Sequence, residues 1–140
     1  MRAALEVEHL VTPDEEDSLA YVIAVEPDLI RVTLSGAITP QDLTGIMHDT
    51  DALERGLDRV PHRLITTEGE IDIQVGYAEV KAFAWHRREI RFPNAFRSAL
   101  VARTPVQRGI ARMLQTLNDN PQIMIEIFDN EAEALAWLRS

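Results

Sequence analysis

Phe96-Arg97-Ser98-Ala99-Leu100-Val101-Ala102-Arg103-Thr104-Pro105-Val106-Gln107 opens a stretch that runs on as RGIARMLQTLNDNPQIMIEIF to residue 128. Phe96–Ala102 reads as a strand. Thr104, Pro105 and Gln107 then mark a helix start: a hydroxyl N-cap, proline at the first helical position and glutamine at the third. Val106, Ile110, Met113, Leu114 and Leu117 keep helical spacing and form one apolar stripe. Asn118-Asp119-Asn120-Pro121 stops the helix. Ile123, Ile125 and Ile127, with Met124 and Phe128, form an almost wholly apolar strand, the pattern of a sheet covered on both faces. A strand, a helix and a second apolar strand form a parallel crossover, and such crossovers are right-handed.

Working outward, the same grammar repeats. Asp129 is expected to cap a final helix, Asn130–Leu138, with Leu135 and Leu138 inward. Upstream, Ala20–Val25 and Leu29–Leu34 alternate around Pro27-Asp28, where proline presets the turn; this is a β-hairpin that Gly36 ends. Thr39-Pro40-Gln41-Asp42 starts a helix with a hydroxyl cap, an early proline and an acid near the positive end of the dipole. Its stripe is Leu43, Ile46, Met47, Thr50, Leu53 and Leu57, with Gly56 as a C-terminal cap. His62–Thr67 reads as a short strand, and Glu68-Gly69-Glu70 as the start of a loop. Val75 to about Glu89 is a helix that is apolar on two faces, a sign of deep burial or of a partner. The predicted order is ββαβαβαβα: an α/β fold with a mixed sheet of about five strands and helices packed on it. Residues 1–18 read as a peripheral segment with an extra edge strand and an acidic loop, and residues 19–140 as a single domain.

The chain of 140 residues is long enough for one real core. It has no cysteine, which excludes disulfides and thiolate metal sites. Its start lacks the apolar run of a signal peptide, and no stretch approaches the ~18 apolar residues of a membrane span; a cytoplasmic location is expected. The net charge of −9 argues against nucleic-acid binding. Charge is uneven, however. Residues 86–112 hold seven arginines (87, 88, 91, 97, 103, 108 and 112) and one acid, Glu89, so this segment is +6 and the rest is −15. Either these arginines point to different solvated faces, or they form a basic surface for an anionic ligand, an acidic partner or the acidic run Asp14-Glu15-Glu16-Asp17.

Three pieces carry a family resemblance: Ile30-Arg31-Val32-Thr33-Leu34-Ser35-Gly36, Gly109-Ile110-Ala111-Arg112-Met113, and Phe128-Asp129-Asn130-Glu131-Ala132-Glu133-Ala134-Leu135-Ala136-Trp137-Leu138. Together they resemble the SpoIIAA-like family of small bacterial proteins, related to STAS domains (anti-sigma-factor antagonists) and grouped with SEC14-like lipid-binding folds. The resemblance covers roughly residues 21–138. It implies a STAS-like α/β fold and a binding or regulatory role, and it does not imply an enzyme. In anti-sigma-factor antagonists a phosphorylatable serine sits in an Asp-x-Ser-like motif at a helix start. The matching stretch here, Thr66-Thr67-Glu68-Gly69-Glu70-Ile71-Asp72-Ile73-Gln74-Val75, has no serine, which places the phosphorylation switch in doubt.

Ligands of open α/β sheets settle beyond the carboxyl ends of the parallel strands. Thr67, Arg103, Thr104, Arg108 and Asp129 should converge there, with free N–H groups of the helix starting at Thr104 and two arginines forming an anion site. The plainer reading is that Thr104 and Asp129 are caps and the arginines pair with acids. Tyr77, Trp85 and Phe92 are candidates for an apolar groove or dimer face, or else core residues. The four histidines lack metal-ligand spacing, and surface or helix-packing roles are expected of them. Glu68, Glu70 and Asp72 lack the pattern of a calcium loop. No phosphate loop or nucleophile elbow is present. No catalytic residue, metal or cofactor is predicted. Three readings stand: a non-enzymatic module that binds a protein or a second copy of itself, a carrier or sensor of a small amphipathic or anionic ligand, and, third, an enzyme, which would need a pair of strongly shifted titrating groups inside a cavity. The first predicts an exposed apolar patch on the second helix without a deep pocket. The second predicts a cavity between the second and third helices and the sheet, with Arg103 or Arg108 at its mouth.

Overall fold

The alternating segments fold as the sequence orders them. The computed structural model describes residues 20–140; the expected edge strand and acidic loop of residues 1–18 lie outside them. The elements are β1 (Tyr21–Val25), β2 (Leu29–Ile38), α1 (Pro40–Arg55), β3 (His62–Ile73), α2 (Tyr77–Arg88), β4 (Phe96–Val101), α3 (Pro105–Leu117), β5 (Ile123–Phe128) and α4 (Glu131–Leu138). The sheet has five strands in the order β1-β2-β3-β4-β5. β1 is antiparallel to β2, and the other pairs are parallel.

Each parallel crossover steps to the next strand in one direction, so α1, α2 and α3 share one face of the sheet. Strand periodicity then divides the core into two layers. Ile30 and Val32 of β2 pack with Ile46 of α1, and Leu100 of β4 packs with Ala111 and Leu114 of α3. Residues of opposite parity, Leu29, Leu64, Ala99 and Val101, meet Ala134 and Leu138 of α4 on the other face. Leu29, Ile30 and Leu64 are fully buried, and each such side chain stabilises the fold by about 1.5–3 kcal/mol.

The helix starts are built as their residues dictate. Thr39 caps α1 through the Asp42 N–H, and Asp42 reaches back to the Thr39 N–H. Thr104 accepts from the Gln107 N–H, with Pro105 next. The last cap differs from expectation. Asn130, not Asp129, accepts from the Glu133 N–H, because it stands three residues before an available donor.

Two further departures shape the molecule. β2 does not stop at Gly36 and β3 does not give way to a loop at Glu68. The ladder shifts register between Ser35 and Gly36, pairing Ser35 with Glu68 but Gly36 with Ile71. Gly36 and Gly69 take φ of 69° and 70°, a region that glycine enters without Cβ strain. They act as bulge positions from which the strands continue to Ile38 and Ile73. β5, read as covered on both faces, is an edge strand. Its Ile123 is buried toward the helices, whereas Met124 is 52% exposed and Glu126 lies open on the other face.

Candidate functional site

The prolonged β2 and β3 make a wall. Ile38 and Ile73, beyond the bulges, join Val32, Leu34 and Ile65 of the sheet, Leu43 and Ile46 of α1, Val80 and Phe83 of α2, and Ile110, Ala111 and Leu114 of α3 around a cavity of about 130 Å³. It lies toward the carboxyl ends of the parallel strands. Among the described residues, Thr67 and Gln107 are its only polar lining residues, and no titratable side chain lines it.

The polar end is closely bonded. Arg103 Nη1 donates to the Thr67 carbonyl at 3.2 Å and to Thr67 Oγ1 at 3.3 Å. Gln107 Oε1 accepts from the Arg103 N–H at 2.8 Å, while the Gln107 N–H donates to Thr104 Oγ1. Thr67, Arg103 and Thr104 thus come together as the sequence suggests. Arg108 and Asp129 do not join them. They form an ion pair of 2.6 Å with side chains 41% and 69% exposed, so the expected two-arginine anion site is reduced to Arg103 at this rim.

The apolar groove expected of Tyr77, Trp85 and Phe92 also divides. Tyr77 and Trp85 are 56% and 54% exposed on the outer face of α2. They flank a shallow surface that includes Ala78, Lys81 and Ala82, and the Arg88 guanidinium lies 3.7 Å over the Trp85 ring. Phe92 is instead buried with Val60 and Ile123, edge-on to Phe96 at 5.1 Å between ring centroids. The chain turns inward after α2, and an apolar ring there is drawn into the core.

The basic segment disperses in the same way. Arg88 pairs with Glu89, Arg97 donates to the Trp137 carbonyl at 2.5 Å, and Arg103 and Arg108 are engaged as above. Arg87 enters a buried charge network that sequence reasoning missed. Arg87 Nη1 lies 3.0 Å from Asp51 Oδ1 and 2.9 Å from Glu54 Oε1. Arg63 Nη2 also donates to Glu54, and His86 Nε2 lies 2.5 Å from Asp51 Oδ2. Asp51, Glu54, Arg63 and Arg87 are all buried. Burial pulls the Arg63 guanidinium well below the usual arginine range; the adjacent Arg87 charge adds to this and Asp51 opposes it. Burial also lowers Arg87, against the pull of Asp51. A sequence signal existed: Ile46, Thr50 and Glu54 form one i, i+4 row, so Glu54 continues the inward face of α1. Arg63 Nε and Thr66 Oγ1 are buried without a hydrogen-bond partner among the described residues.

Two of the histidines, His62 and His86, make specific contacts. Besides the His86 contact, His62 Nδ1 accepts from the Arg97 N–H at 2.9 Å. At the start of α2 the N-cap is Gly76, whose N–H donates to Glu79. Among the described residues, no helix is long and apolar enough to cross a membrane.

The same architecture is known from a solved structure. An uncharacterised protein of the DUF3478 family with a SpoIIAA-like fold, from Shewanella loihica PV-4, superposes with a TM-score of 0.52 at 19% sequence identity, over 85% of this chain and 92% of that one. At that identity the likeness shows the fold, and this chain has the SpoIIAA-like fold. No protein-family model and no curated protein matches the sequence.

Proposed function

We propose that this SpoIIAA-like domain is a non-enzymatic binding module that receives the apolar part of a small amphipathic anion in the cavity beneath α1, α2 and α3. The supporting observation is the cavity itself, about 130 Å³, apolar except for Thr67 and Gln107 at one end. A dry apolar cavity of roughly 150 Å³ admits a benzene-sized group. The lining therefore suits a short acyl or aryl group, with a carboxylate left at Thr67 and the Arg103 side chain. Arg103 has no acidic partner among the described residues and is exposed.

Native mass spectrometry of gently purified protein, followed by denaturing mass spectrometry, tests this reading. A small mass lost on denaturation is the expected result. Methyl NMR with added benzoate and hexanoate gives the direct measurement: saturable shifts at Ile65, Ile110 and Leu114, weakened roughly tenfold by Arg103→Ala, the order of one charge-assisted hydrogen bond. A clean protein mass together with no saturable shifts overturns it.

A second reading, a protein-interaction module, is supported by Tyr77 and Trp85 on the outer face of α2. It expects Trp85→Ala to change the assembly state seen by sedimentation while leaving the monomer folded. An unchanged state removes that support.

A further inference from the structure

We propose a second site, at the opposite end of α1 and α2 from the apolar cavity, that binds the hydrogen-phosphate dianion. A cleft of about 280 Å³ opens there, between the last turn of α1 and the chain leaving α2. Asp51 and Glu54 form its floor, Arg55 and Arg91 its charged walls, Leu57 and Ile90 its apolar sides, and His86 faces it.

The charge balance decides the sign of the ligand. Asp51 and Glu54 carry two negative charges, and the buried guanidiniums that hold them, Arg63 and Arg87, carry two positive ones. The floor is therefore neutral. Arg55 and Arg91 are exposed and have no ion-pair partner among the described residues. They leave the cleft with two uncompensated positive charges beside apolar walls, which focus their field. The carbonyl ends of α1 and α2 oppose an anion here. A whole positive charge on each arginine outweighs the partial charge of about a half at each helix end.

The histidine decides which anion. A carboxylate only accepts hydrogen bonds, so at 2.5 Å from Asp51 Oδ2 it is His86 Nε2 that donates. In the neutral ring Nδ1 is then an acceptor, and it has no partner among the described residues. An ion held here must bring both oxygens for Arg55 and Arg91 and a proton for Nδ1. Hydrogen phosphate offers both. Sulfate, with the same size and charge, has no proton to give, and neither does a phosphomonoester dianion. The site thus favours free phosphate over an esterified phosphate such as a lipid headgroup.

The experiment is calorimetric titration of the intact chain at pH 8, where free phosphate is the hydrogen-phosphate dianion, with sodium phosphate, sodium sulfate and methyl phosphate in turn. Saturable phosphate binding is expected, with sulfate and methyl phosphate weaker by roughly tenfold, the order of one hydrogen bond to a charged group. The exposed pair Arg55→Ala/Arg91→Ala should abolish phosphate binding while circular dichroism stays unchanged. His86→Phe should bring phosphate down to the level of sulfate. Absence of saturable phosphate binding overturns the site, as does binding that survives the double substitution. Equal affinity for phosphate and sulfate overturns the role of His86. None of these results depends on the apolar cavity, whose test uses other ligands and other residues.

Discussion

Arg63 and Arg87 are the residues whose removal should cost most for their size. Arg63 is buried against Glu54 and Arg87 against both Glu54 and Asp51, so removing either guanidinium leaves the interior with an excess of buried negative charge. Arg87→Ala is expected to destabilise the fold by about 3–5 kcal/mol, read as a shift in the urea midpoint. Arg108→Ala, which breaks an exposed pair with Asp129, should cost about 0–1 kcal/mol. Equal costs would place the network in solvent. His62 gives a pH dependence. Burial, followed by the charges of Arg97 and Arg59, lowers its pKa below the ordinary 6.5, with Asp28 opposing. Its Nδ1 accepts a hydrogen bond, which requires the neutral ring. The unfolded chain therefore binds the proton more readily than the folded one. The contribution of His62 is complete above about pH 6.5 and is lost as pH falls through the lower folded value. The urea midpoint should drop between pH 7.5 and pH 5, and His62→Gln should reduce that drop. An unchanged drop would show that other groups cause it.

At the scale of elements, the bulges in β2 and β3 join architecture to site. Their strands would end at the sheet rim without Gly36 and Gly69, and Ile38 and Ile73 would not reach the cavity wall. A Cβ at either glycine meets no atom within 4 Å, so the cost of substitution is that of the backbone alone. Gly36→Ala should destabilise by about 1–2 kcal/mol through its positive φ, measured by thermal denaturation, and should disturb ligand-induced shifts more than Arg108→Ala does. A neutral substitution would mean the strand can pair without the left-handed residue. α1 approaches β1 closely at Gly45, where a Cβ would stand 2.5 Å from the Tyr21 hydroxyl. That hydroxyl donates to Asp49 Oδ2 at 2.8 Å. The edge strand β5 leaves Met124 and Glu126 open, and the charge of Glu126 guards that face against pairing with another sheet.

For the whole molecule, one direction of winding gathers α1–α3 on one face and leaves the other to α4. The same winding sets two openings at opposite ends of α1 and α2, one apolar and one lined by charge. Element order, the caps at Thr39 and Thr104 and the hairpin at Pro27-Asp28 were legible in the chain, because periodicity and capping act over three or four neighbours. So was the meeting of Thr67, Arg103 and Thr104, since parallel strands bring their carboxyl ends to one rim. Those features the sequence by itself determined. It misread Gly36 and Gly69 as stops, because glycine permits a turn and a bulge alike and only the partner strand chooses between them. It left Arg108 between the rim site and an acid partner, and the salt bridge to Asp129 decided for the partner; it left Phe92 between a groove and the core, and the core claimed it. The tertiary structure alone decided the buried network of Asp51, Glu54, Arg63 and Arg87, whose members come from α1, β3 and α2. Ion pairing depends on distance in space, and that distance exists only once the helices are laid side by side on the sheet.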